Sequence, residues 1–72
     1  MHLKNENETR EAIDSWRPDS PGAQLGKLHK ALEGIELDRM YYEQKESARG
    51  VERCGSCLAL LRERIDELEN GC

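Results

Sequence analysis

VERCGSCLALLRERIDEL, residues 51–68, places apolar side chains at Val51, Cys54, Leu58, Leu61, Ile65 and Leu68. The steps alternate between three and four, which is the seam of an amphipathic helix built to lie against another helix. Upstream, Leu25, Leu28, Leu32 and Ile35 repeat the spacing, and the register continues through Arg39, Tyr42, Glu46 and Arg49. Folding the chain back at Gly50 sets the two stripes face to face. Tyr42 then meets Leu58, Arg39 meets Leu61, Ile35 meets Ile65, Leu32 meets Leu68 and Leu28 meets Cys72. Glycine is the preferred residue just past a helix C-terminus. The expected fold is therefore all-α: an antiparallel helical hairpin turning near Gly50, with a short N-terminal helix, in a dimer.

A second geometry competes with this one. Leu37, Tyr41, Gln44, Ala48, Val51, Cys54 and Leu58 form a stripe that runs straight through Gly50. Residues 43–49, EQKESAR, are mostly good helix formers without Pro, Asn or Asp. An interior glycine costs only about 1 kcal/mol relative to alanine. One long helix pairing with its copy in a dimeric coiled coil is the alternative.

Ahead of these helices, residues 1–7 are polar and expected to be flexible. Residues 8–17, ETREAIDSWR, suit a short helix capped by Asn7 or Thr9, with Ala12, Ile13 and Trp16 on one side. Arg17-Pro18-Asp19-Ser20 is the break, because proline disfavours helix at the residue before it. Ser20 followed by Pro21 pairs an N-cap with the first helical position, so the second helix starts at Pro21. The expected layout is a helix over 8–17, a loop over 17–20, and helices over 21–49 and 51–70, all in one domain spanning 8–72.

Seventy-two residues with no Phe, one Trp and two Tyr give a small core. Such a core supplies no more than ~3–5 kcal/mol, which favours dimerisation or docking on a larger partner. The net charge is −4, and no third of the chain is net positive. That balance argues against phosphate-backbone binding and makes nucleic acid an unexpected partner. No apolar run approaches the length of a bilayer span, and MHLKNENETREA lacks the apolar stretch of a secretory signal. Three cysteines without a secretory signal read as thiols, so the expected setting is the cytoplasm.

Recognition chemistry concentrates on the second helix. Leu37 and Met40 lie about 200° from Ile35 and Tyr42, at about 3.6 residues per turn. A helix apolar on two sides is buried on two sides. Arg39, Met40, Tyr41 and Tyr42 are residue types enriched at interface centres, and Trp16 is a further candidate anchor. The expected partner-binding set is Leu37, Arg39, Met40, Tyr41, Tyr42 and Trp16. The N-terminal helix should rest on the hairpin but is too small to cover this face.

Cys54-Gly55-Ser56-Cys57 is a Cys-x-x-Cys without the βαβ setting of a redox site. Cys54 falls on the seam, where cysteine behaves as a small buried hydrophobe. A zinc site built on Cys54 and Cys57 would need two further ligands from Cys72, His29 or His2. Cys72 is fifteen residues from Cys57, over ~20 Å along a helix, so only a site shared between subunits is feasible. His29 has no partners at catalytic spacing. The acidic end, Asp66, Glu67 and Glu69, reads as a solvated face.

The sequence thus points to a small non-enzymatic module that binds a larger protein as an inhibitor or adaptor. Tiny acidic helical proteins of this kind are common among phage and mobile-element products, which is an argument from analogy. One rival is a transcriptional or nucleic-acid regulator using Lys27, Lys30, Arg39, Lys45 and Arg49. The other is a zinc- or thiol-dependent protein using Cys54 and Cys57.

Overall fold

The computed structural model describes residues 5–70. It contains three helices, α1 (Glu6–Trp16), α2 (Pro21–Gln44) and α3 (Ala48–Asn70), and no strand among the described residues. The helices pack as a bundle or hairpin, with α3 in contact with both α2 and α1. The chain is elongated, 40 × 20 × 15 Å.

Helix α1 starts earlier than expected, at Glu6 instead of residue 8. The cap is Asn5, whose Oδ1 accepts the Glu8 N–H at 2.8 Å. With Glu8 at the third helical position, this segment has the composition of a capping box. Thr9 and Asn7 therefore lie inside the helix, and the flexible segment expected over 1–7 does not include 5–7. Residues 1–4 lie outside the described residues. Thr9, Ala12 and Ile13 are buried and Trp16 is half-buried against the core.

Helix α2 starts where Ser20-Pro21 places it, with Ser20 Oγ accepting the Ala23 N–H at 3.3 Å. Gln24, one turn in, joins three parts of the chain. Its Nε2 donates to the carbonyls of Asp19 at 2.8 Å and Arg17 at 3.3 Å, and its Oε1 accepts from Arg64 at 2.9 Å. A buried amide is stable only when so satisfied.

The turn between α2 and α3 is not at Gly50. Helix α2 ends at Gln44, five residues before the expected end at 49, and α3 starts at Ala48. The Glu46 N–H donates to the Glu43 carbonyl at 3.1 Å and the Ser47 N–H to the Tyr42 carbonyl at 2.9 Å. These two bonds are the Schellman pattern, and it requires a left-handed residue at Glu46, which has φ 56°. Ser47 then caps α3, its Oγ accepting the Gly50 N–H at 3.3 Å. The same cap rules out the unbroken helix through Gly50.

Gly50 is helical and buried, with no left-handed backbone to satisfy. What it provides is room. A Cβ there would stand 2.5 Å from Cδ1 and 2.9 Å from Cδ2 of the Tyr42 ring. Tyr42 thus rests on Gly50 and beneath Arg53, and packs against the core. The expected pairing of Leu28 with Cys72 falls outside the described residues.

The core comprises Ala12, Ile13, Leu28, Ile35, Cys54, Cys57, Leu58, Leu61 and Ile65. Cys57, off the expected seam, is as deeply buried as the seam itself. Helix α3 carries a second stripe, Cys57 and Leu60, alongside the first.

Candidate functional site

Because α1 packs on α3, the outer side of α2 stays open. Leu37 is 66%, Met40 55% and Tyr41 55% exposed, and they are the large exposed hydrophobic side chains among the described residues. Residues three and four apart are neighbours on a helix surface, so these side chains span an arc of about 100°. They form one apolar patch on a helix whose opposite side buries Leu28 and Ile35.

The other expected binding residues lie elsewhere. Tyr42 is half-buried at the turn, its hydroxyl accepting from Arg53 at 3.4 Å. The neighbouring rings diverge, edge to face, with Tyr41 and Tyr42 centroids 5.5 Å apart at 71°. Lys45 covers part of Tyr41, 5.7 Å from its centroid, a modest cation–π contact. Arg39 is half-buried and faces Glu43 across 3.4 Å. Trp16 packs on the core from α1. The structure therefore brings together Leu37, Met40 and Tyr41 in the open, keeps half-buried Arg39 and Tyr42 at their margin, and places Trp16 on the core away from them.

The thiols sit in a different environment. Cys54 and Cys57 are free and buried, at 7% and 2% exposure. Burial, helped by the nearby Asp38 carboxylate, pushes the Cys54 thiol above its usual pKa. Redox exchange and metal binding both need the thiolate, so this setting disfavours both. Among the described residues, no group of three His, Cys, Asp or Glu side chains is placed to hold a metal ion. His2 and Cys72 lie outside the described residues.

Of the basic residues considered for nucleic acid, Lys27 pairs with Asp19 at 2.5 Å, and Arg39 and Lys45 are engaged as above. The groove between α1 and α3, of 220 Å³, alternates Arg10, Arg17 and Arg64 with Asp14, Glu63 and Glu67. That lining is balanced in charge and selects neither anions nor cations.

Sequence reading did not pick out the N-terminal half of the same open side of α2. Gly22 and Gly26 would each meet nothing within 4 Å if given a Cβ. The signal was available: Ala23, Gly26, Lys30, Glu33, Leu37 and Met40 follow the three-four spacing. It was hidden because only its last two members are apolar and large. No helix is long and apolar enough to cross a membrane among the described residues. Comparison with protein-family models, with curated proteins and with solved structures finds no match.

Proposed function

We propose that this chain is a non-enzymatic protein-interaction module that binds a larger protein, in the manner of an inhibitor or adaptor. In this reading α2 and α3 form an antiparallel hairpin, and the outer face of α2 makes an intermolecular contact on which binding of the larger protein depends. The observation that carries it is the patch of Leu37, Met40 and Tyr41, more than half exposed on a helix already packed on its other side. Burying such side chains is worth about 1.5–3 kcal/mol each, which makes an uncovered cluster a recognition surface. Arg39 and Tyr42, tied to Glu43 and Arg53, act as supports at its margin. The free, buried thiols suit a reducing compartment such as the cytoplasm.

The test is affinity capture from the native host with the wild type and with Met40→Asp/Tyr41→Asp. A charge placed in a contact core is desolvated without a partner, so the variant should lose the captured protein while keeping its helical circular dichroism. Equal capture of the same protein by both forms would place the interface elsewhere.

A further inference from the structure

We propose that the outer face of α2 is occupied by a second copy of this chain, the two α2 helices lying antiparallel in one specific register. The inference rests on the reading of that face as intermolecular and names its occupant. The face carries six residues at heptad spacing, in the order Ala23, Gly26, Lys30, Glu33, Leu37 and Met40. In an antiparallel pair of such helices, each residue of one class faces one of the other class. Setting Lys30 opposite Glu33 of the second copy places Leu37 opposite Gly26 and Met40 opposite Ala23. Two-fold symmetry then repeats every contact, as an isologous dimer demands.

Two independent properties agree on this register. The first is charge. Neither Lys30 nor Glu33 has a hydrogen bond or ion pair with another described residue, so both are free to pair across the axis. The second is size. The large side chains occupy one end of the face and the small ones the other, so reversal of the partner sets large on small. Gly26 is a poor helix former, and a Cβ added there would meet nothing within 4 Å, so the packing of one copy gives no reason for it. A facing Leu37 does. The contact layers run over residues 23–40, about 25 Å of helix, within the span of α2. An interface of one helix per copy falls at the small end of specific interfaces, so dimerisation belongs in the micromolar range.

Charge reversal tests the register directly. Sedimentation equilibrium is run on the wild type, on Lys30→Glu, on Glu33→Lys and on an equimolar mixture of the two variants. Each variant alone sets like charges together twice and should dimerise roughly tenfold more weakly than the wild type. The mixture should recover dimers, because the first variant offers two glutamates to the two lysines of the second. A third variant, Gly26→Gln, should dimerise more weakly while losing none of the thermal stability of the dilute monomer. A monomeric wild type at millimolar concentration overturns the proposal, as does a dimer indifferent to both reversals or a mixture no more dimeric than its components. A monomeric wild type whose partner capture is still lost in Met40→Asp/Tyr41→Asp would remove the second copy and leave the interaction reading standing.

Discussion

Helices α2 and α3 are nearly equal in length, 24 and 23 residues, yet they spend their apolar side chains differently. Helix α3 buries Gly50, Cys54, Cys57, Leu58, Leu61 and Ile65, a broad stripe that meets α2 on one side and α1 on the other. Helix α2 buries Gln24, Leu28 and Ile35 along one side and leaves Leu37, Met40 and Tyr41 in the open. The small amount of apolar surface on α1 is therefore decisive. Docked on α3, it completes a core; α2 receives no such cover. A helix with two apolar sides and one neighbour leaves one apolar side exposed.

The contrast is broken most severely by removing a side chain from α3. Leu61 has no exposed surface, and Leu61→Ala should cost about 2–5 kcal/mol, enough to unfold much of so small a domain. Leu37→Ala, on the open face, should change the unfolding free energy of the dilute monomer by less than about 0.5 kcal/mol. Urea denaturation of both variants measures the difference. Similar costs for the two would mean that α2 and α3 are equally enclosed.

Glycines sharpen the same contrast. Gly50→Ala pushes a methyl group into the Tyr42 ring and should destabilise by about 1–3 kcal/mol, the usual range for overpacking. Gly26→Ala adds a methyl group in open space and should stabilise the monomer by about 1 kcal/mol. Opposite shifts in melting temperature are expected, and a Tyr42→Ala background should remove most of the Gly50→Ala penalty. Without that rescue, the close approach of the two helices at Gly50 is not what the glycine serves.

At the turn, Glu46 holds a left-handed backbone that favours glycine. Glu46→Gly should stabilise by roughly 0.5–1 kcal/mol, read from the denaturation midpoint. A loss of stability would show that the Schellman turn does not set the junction.

The smallest effect concerns pH. Burial raises the Cys54 pKa in the folded state, so its contribution is complete below the ordinary thiol pKa, about 8.5, and fades as pH climbs through the raised value. Above pH ~8.5 the wild type should lose stability faster than Cys54→Ala. Parallel melting-temperature curves for the two would mean that the thiol titrates as it does in water.

How far these features can be read along the chain depends on the range of the interaction that sets them. The start of α2 was legible because Ser20 and Pro21 act on their own neighbours. The α3 seam was legible because periodicity is local. The turn was misplaced because a Schellman cap with glutamate at its left-handed position carries no glycine to mark it. Gly50, the visible glycine, answers to a ring eight residues upstream.

The amino-acid sequence by itself determined that this protein is helical, where Pro21 opens α2, one of the two α3 stripes that face the core, and that α2 has apolar residues on two sides. Each follows from propensity, capping or helical period, all set within a few residues. Only the tertiary structure decided that α1 lies on α3, that Gln24 ties Arg17 and Asp19 to Arg64, and that Tyr42 closes over Gly50. The stripe of Ala12, Ile13 and Trp16 suits either long helix equally well, since burying apolar area is non-directional. Competition among the faces that could cover one another settles the choice, and that competition exists only once the chain has folded.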